Sequence, residues 1–207
     1  MSAVVAPVTA ILPTLYAKYA ALSLVALGGL FAVQRIFDAV SDPLIGYFSD
    51  RTRTRWGSRK PWVLAGGLLV AVSTWFLFRV PPAAGVGYFA LWSMLFYLGY
   101  TMFQVPHMAW GSELTPDYQQ RAQLFGYRGI ADTAGGFAYT LLPIGLFYAG
   151  VTASTEYTPQ MFHWLGAALV VIFPLLLFIA LRHAPRCDTG ASQDSALRGL
   201  LRSLLLN

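Results

Sequence analysis

Six apolar segments, each about as long as a membrane-spanning helix, account for most of the 207-residue chain. A helix needs about 20 consecutive, mostly apolar residues to cross the hydrocarbon core of a bilayer. The segments that meet this requirement are 4–22, 24–48, 61–80, 86–111, 122–150 and 161–182. They predict an all-α membrane protein with a bundle of six transmembrane helices over residues 1–182, in contact with a lipid bilayer.

The composition excludes a water-soluble globule. Charged residues make up 11% of the chain and hydrophobic residues 57%, whereas soluble domains carry about 25% charged residues. The single cysteine, Cys187, excludes a disulfide framework and a multi-cysteine metal site. No paired nucleophile and base and no phosphate-binding loop stands out, so the sequence does not predict an enzyme.

The basic residues indicate how the chain is oriented in the membrane. Five of the fourteen lysines and arginines fall within residues 51–60, between the second and third predicted spans. Cytoplasmic loops of membrane proteins are enriched in lysine and arginine. This clustering predicts a membrane topology and no nucleic-acid partner. With six spans, both termini lie in the cytoplasm, and we expect the plasma membrane (the inner membrane of the cell) as the location.

The segment 183–207 is more polar than the rest and is expected to form a cytoplasmic tail. Four leucines share one helical face and two arginines lie opposite, which predicts a short amphipathic helix on the cytoplasmic leaflet. The residues of this pattern are Leu197, Leu200, Leu201, Leu204, Arg198 and Arg202. The alternative is a linker to a further segment.

Two carboxylates lie within the second predicted span. Asp38 and Asp42 are four residues apart and share a helix face, with Ser41 and Arg35 each three residues from Asp38. Two carboxylates this close in a poorly solvated site cannot both stay ionised without help. Arg35 neutralises one of them, and a mobile cation, either Na+ or H+, is expected to neutralise the other. The alternative is a structural Arg35–Asp38 pair, with Asp42 reaching an aqueous vestibule.

Further polar residues occur in the fourth and fifth predicted spans. Thr101, Gln104 and His107 surround Pro106 and are predicted to line one cavity, although each is also compatible with helix packing. Arg128 and Asp132 are four residues apart in the fifth span. A guanidinium at that depth can hold the hydroxyls of a polar solute by forked hydrogen bonds. The alternative is that Asp132 simply neutralises Arg128.

Charged residues also follow the second and fourth predicted spans on the basic side. Ion pairs between these two groups would hold one state of a gate, and the alternative is a solvated face that orients the chain. The predicted gating residues are Asp50, Arg51, Arg55, Glu113 and Arg121.

The run RIFDAVSDPLIGYFSDRTRTRWGSRKPW at 35–62 resembles the glycoside–pentoside–hexuronide:cation symporters, the melibiose permease-like family of the major facilitator superfamily. VPHMAWGSELT at 105–115 and Tyr127-Arg128 are similar to that family as well. The similarity covers most of the chain through the sixth predicted span. It implies a fold of twelve helices in two six-helix bundles, of which this chain resembles the N-terminal half.

The resemblance also implies roles for individual residues. The positions that match the coupling-cation site of the family are Asp38, Ser41, Asp42 and Thr101. Arg128 matches a sugar contact and Gln104 matches a sugar-binding aspartate, while Asp132 has no matching carboxylate and is assigned to the solute site from its spacing to Arg128.

Together these observations predict a secondary active transporter that couples a sugar-like solute to Na+ or H+, without any other cofactor. A second six-helix half is the expected protein partner, because alternating access requires two bundles around a central site. The alternative is a remnant that does not transport, or a half-transporter subunit.

Overall fold

The computed structural model describes residues 2–81, 84–152 and 155–183, and these ranges form helices and connecting loops with no β-strand. The helices are α1 (Ser2–Ala6), a π-helical segment (Pro7–Ile11), α2 (Leu12–Tyr19), α3 (Leu24–Arg51), α4 (Lys60–Phe78), α5 (Val86–Glu113), α6 (Tyr118–Tyr148) and α7 (Pro159–His183). The predicted amphipathic tail helix and Cys187 lie outside the described residues.

Five helices, α3 to α7, are long and apolar enough to cross a membrane. The predicted first span, 4–22, is helical as far as Tyr19 but consists of three short consecutive segments. Pro13 has no N–H to donate to the carbonyl of Thr9. In the preceding segment, the Leu12 N–H bonds to the carbonyl of Pro7, five residues earlier, as in a π-helix. The Thr9 hydroxyl bonds to the carbonyl of Val5 at 3.1 Å. A count of six spans therefore remains a prediction.

Local sequence signals account for the helix ends near the site. The Asp117 carboxylate accepts a hydrogen bond from the N–H of Gln119 at 3.0 Å and caps the start of α6. Pro61 occupies the first turn of α4, where its missing N–H is harmless. Gly57 has a φ of 98°, which allows the tight turn that leads from α3 back into α4.

Helices α4 and α5 form the centre of the bundle. Helix α4 packs along α5 and α7, and α5 also packs on α3. The crossing of α4 and α5 is close because it is made by glycines: a Cβ on Gly66 would lie 2.7 Å from the carbonyl oxygen of Gly99. Small residues at such crossings let helix backbones approach in membranes.

The main hydrophobic core lies at the end of the bundle away from the basic 51–60 segment. It is built around Tyr16, Leu77, Phe89 and Phe162, and the Tyr16 hydroxyl donates to the carbonyl of Leu77 at 3.0 Å. A smaller cluster of Val63, Phe103 and Leu177 lies nearer the basic end.

Two helices that carry predicted site residues are only lightly packed. Of the 18 residues in the most apolar stretch of each helix, 17% are buried in α3 and 11% in α6, against 50% in α4. Helix α6 packs mainly on α1 and only lightly on α5. The charged faces of α3 and α6 are consequently accessible on the same bundle.

Candidate cation and solute site

The two carboxylates of α3 have different surroundings. The Asp38 side chain is 17% exposed, and its Oδ2 lies 3.5 Å from Nη1 of Arg35. The other oxygen, Oδ1, is buried and has no hydrogen-bond partner. Asp42, one turn further, is exposed. Asp38 therefore has one oxygen near a cation and one oxygen available to a ligand.

The hydroxyls predicted for the cation site are both on buried residues. The Ser41 Oγ donates to the main-chain carbonyl of Asp38 at 3.4 Å, which leaves its lone pairs free to coordinate. Thr101 is buried on α5, the helix against which α3 packs. The structure thus places all four predicted ligand residues on two neighbouring helices.

Helix α3 contacts α5 where Gly46 faces the side chain of Val105. A Cβ on Gly46 would meet Cγ1 of Val105 at 3.7 Å, so the two helices approach closely one turn beyond Pro43. Pro43 and Pro106 interrupt α3 and α5. Each removes an N–H, so the carbonyls of Ala39 and Met102 lose their usual helical donors. Ala39 follows Asp38 and Met102 follows Thr101 in the sequence, so each carbonyl belongs to a neighbour of a predicted cation ligand.

Tyr100 of α5 marks the point where charges from two other helices converge. Its hydroxyl interacts electrostatically with Asp38 and Asp42 of α3 and with Arg128 and Asp132 of α6. Tyr97, one turn earlier on α5, lies 5.9 Å from the guanidinium of Arg35, measured from Cζ to the ring centroid. The predicted cation and solute residues accordingly face a single region.

The part of this region predicted to bind the solute carries unpaired polar atoms. Gln104 Oε1 and His107 Nδ1 are buried and have no hydrogen-bond partner. His107 stacks on Phe103, with ring centroids 5.2 Å apart, and interacts electrostatically with Arg128 and Asp132. Arg128 contacts the sulfur of Met108. Such unsatisfied groups match a solute that brings its own hydroxyls.

The basic end of the bundle is held by Arg59. Its side chain is 5% exposed and forms ion pairs with Asp50 at the end of α3 and with Glu113 at the end of α5, the latter at 2.7 Å. It also donates to the Ser49 hydroxyl at 3.0 Å. Burial lowers the pKa of Arg59, but the hydrogen bonds and charges of Glu113 and Asp50 outweigh it and raise the pKa above its ordinary value.

The other predicted gating residues are not partners in these two ion pairs. Arg51 lies over the ring of Tyr47, 4.0 Å from its centroid. Arg55 is exposed in the loop. Arg121 donates to the carbonyl of Thr115 at 3.0 Å. Arg59 thus joins Asp50 and Glu113, although its place in the basic 51–60 segment predicted only a role in membrane topology.

The chain is similar in sequence to known transport proteins. A family model described as MFS/sugar transport protein matches residues 1–207. The inner membrane symporter YicJ of Escherichia coli is 38% identical over 122 residues, which is 58% of this chain and 26% of YicJ. The isoprimeverose transporter of Lactiplantibacillus pentosus is 29% identical over 189 residues, which is 87% of this chain and 38% of that transporter.

A third relative is the lactose permease of Lactobacillus helveticus, 28% identical over 196 residues, or 86% of this chain and 30% of the permease. The chain therefore spans well under half the length of these relatives. All three are named as symporters, transporters or permeases, so the prediction that the chain belongs to a family of transport proteins and not of enzymes is confirmed. The chain belongs to the glycoside–pentoside–hexuronide:cation symporter family of the major facilitator superfamily.

Proposed function

We propose that this chain forms the cation-binding half of a sugar:cation symporter of the plasma membrane. The observation that carries the proposal is the buried, unpartnered Oδ1 of Asp38 on α3, a helix that also carries the buried Ser41 and packs against α5 with the buried Thr101. Charges are costly at membrane depth and are retained mainly where they bind ions or solutes.

The coupling cation, Na+ or H+, binds at Asp38 and Asp42, assisted by the hydroxyls of Ser41 and Thr101. Arg35 lies 3.5 Å from one oxygen of Asp38 but is 72% exposed, so it offsets only part of the paired negative charge. A bound cation offsets the remainder. The unpartnered Oδ1 of Asp38 supplies a hard oxygen ligand, which suits Na+ as well as a proton.

The solute is a sugar or glycoside held by Gln104, Arg128 and Asp132. The relatives named for lactose and isoprimeverose support this class. A guanidinium and a carboxylate one helical turn apart present donors and acceptors at a spacing that suits neighbouring sugar hydroxyls. Because the cation lowers the charge of the region, only the empty carrier or the carrier loaded with both ligands closes at low cost, which couples the two fluxes.

Closure at the cytoplasmic end is governed by the ion pairs of Asp50 and Glu113, with Arg51, Arg55 and Arg121 nearby. Arg59 connects the end of α3 to the end of α5, so separating these ends requires at least one of its two ion pairs to break. A second six-helix half rocks against this bundle and completes the solute cavity.

The proposed six-helix half also has a defined membrane topology. The segment from Ser2 to Tyr19 is the first of its six spans, and both termini are cytoplasmic. The lightly packed faces of α3 and α6 meet the second half. A half-transporter subunit that requires a separate partner is the second candidate.

Reconstitution into liposomes tests the proposal. In vesicles that contain this bundle together with the second six-helix half, we expect uptake of a labelled galactoside or xyloside, stimulated by an inward gradient of Na+ or H+ and collapsed by an ionophore for that ion. Cation-dependent sugar binding by the purified chain alone, with flux only after a separate second chain is added, would establish the half-transporter subunit instead. Absence of both binding and flux across the sugar panel would refute the proposed function.

A further inference from the structure

A cavity of about 500 Å³ opens at the end of the bundle opposite the basic 51–60 segment. Its walls come from the end of α4, the start of α5 and the first turns of α7. The lining residues include Phe76, Arg79, Val80, Tyr88, Gln160 and His163. None of the residues assigned to the cation, the solute or the gate contributes to it.

Arg79 provides the charge of this cavity. It is the first residue after α4, and its guanidinium lies over the ring of Trp75, 4.3 Å from the centroid. Its Nε donates to Nδ1 of His163 at 3.4 Å. Within the described ranges, the ion pairs do not include Arg79, and its two Nη groups form no hydrogen bond. A guanidinium oriented in this way has its forked donors available for an anion.

The rest of the lining is mixed in character. Phe76 stacks on Trp92 with ring centroids 3.9 Å apart, which fixes an apolar wall. The Tyr88 hydroxyl is already used, since it donates to the carbonyl of Phe76 at 2.8 Å. Val80 extends the apolar surface, and Gln160 adds an exposed amide. Clustering of tryptophan and tyrosine beside such a mouth is typical of the membrane–water boundary.

We propose that this cavity binds the phosphate head group of an anionic phospholipid from the adjacent leaflet. The guanidinium of Arg79 forms two parallel hydrogen bonds to phosphate oxygens, a geometry that arginine matches well. The apolar wall of Phe76 and Val80 contacts the glycerol and the first carbons of the acyl chains. A free phosphate ion would use Arg79 alone and leave that wall in water, so the lining favours the lipid. The proposal is independent of the transport function.

Native mass spectrometry of the purified chain in micelles with equal amounts of phosphatidylglycerol and phosphatidylcholine tests it. We expect several-fold preferential retention of one phosphatidylglycerol molecule by the wild type. Arg79→Gln is expected to reduce the ratio of the two retained lipids to about one. Both lipids carry the phosphate oxygens, so the preference for phosphatidylglycerol depends on its net negative charge, which the Arg79 guanidinium neutralises. Arg53→Gln, which removes an exposed arginine at the other end, is the matched control and should keep the preference.

A second variant and a competition with inorganic phosphate complete the test. Val80→Glu places a carboxylate in the cavity wall while keeping Arg79, and it should abolish the preference even if Arg79→Gln fails to fold. Inorganic phosphate in large excess should not displace the retained lipid. Equal retention of phosphatidylglycerol by the wild type, Arg79→Gln and Val80→Glu would overturn the site, and displacement by inorganic phosphate would overturn its assignment to a lipid.

Discussion

At the residue scale, the strongest contacts at the basic end of the bundle converge on the Arg59 side chain. It is almost fully buried and joins two carboxylates that belong to different helices. A planar guanidinium can serve both partners at once, which a lysine ammonium at the same position cannot do with the same geometry. The contact therefore depends on the residue type as well as on its charge.

Replacing this arginine is expected to destabilise the bundle. Arg59→Gln leaves Asp50 and Glu113 facing each other without a cation, and we expect a loss of about 2 kcal/mol, less than for a fully buried pair because Asp50 is 41% exposed. Thermal unfolding in detergent measures it, with Arg53→Gln as the control. Equal unfolding temperatures for the two variants would contradict the role of Arg59.

The pH dependence of this contribution follows from the raised pKa of Arg59. A group whose pKa is raised on folding contributes fully below its ordinary pKa and loses its contribution only as pH rises through the raised value. For a guanidinium both values lie far above neutral. The difference in unfolding temperature between the wild type and Arg59→Gln should thus be constant from about pH 7 to about pH 10. A difference that shrinks over this range would argue against a guanidinium ion pair.

At the scale of the helix, the long apolar runs were sufficient to locate the main elements. The prediction of 86–111 corresponds to α5 (Val86–Glu113), and 61–80 corresponds to α4 (Lys60–Phe78). Run length and polar flanks determine such helices, because every backbone group in lipid must be bonded within its segment. The interruption of the first helix was not predicted, since it depends on how the carbonyls around Pro7 and Pro13 find alternative donors.

The crossing of α4 and α5 provides a prediction at this scale. Gly66→Ala would force a methyl group to 2.7 Å from the Gly99 carbonyl oxygen, so the helices must separate. We expect a cost of about 1–3 kcal/mol, as for overpacking in a core. Gly28→Ala is the matched control, because a Cβ there has open space. Unfolding temperatures of the two variants in one detergent measure the difference, and a Gly66→Ala protein as stable as Gly28→Ala would contradict the close crossing.

At the scale of the whole molecule, the spacing of the charges along each helix can be predicted from the sequence, whereas their arrangement between helices depends on packing. The four-residue spacing of Asp38 and Asp42, and of Arg128 and Asp132, was visible in the sequence. Their convergence at Tyr100 was not, because it depends on how α3 and α6 are placed around α5. Arg59 was not assigned to the gate for the same reason: its partners lie on two different helices.

The six-span topology is testable on the whole molecule. With six spans, an epitope tag at the N-terminus lies on the same side as the 51–60 segment and is inaccessible to antibody in intact spheroplasts. Residue 156, beyond α6, lies on the opposite side, so the Glu156→Cys variant should react with an impermeant maleimide in a Cys187→Ser background. A tag that is accessible in intact spheroplasts would contradict six spans with cytoplasmic termini and would fit the five long helices alone.

Cation binding at Asp38 and Asp42 is proposed to drive solute uptake. The most direct test is gradient-driven sugar uptake by the Asp38→Asn, Asp42→Asn double variant in vesicles that also contain the second six-helix half. Asp117→Asn serves as the control, since that carboxylate caps α6 outside the site. We predict that the double variant loses stimulation by both Na+ and H+ gradients while Asp117→Asn retains it. Undiminished gradient-driven uptake by the double variant would contradict the account.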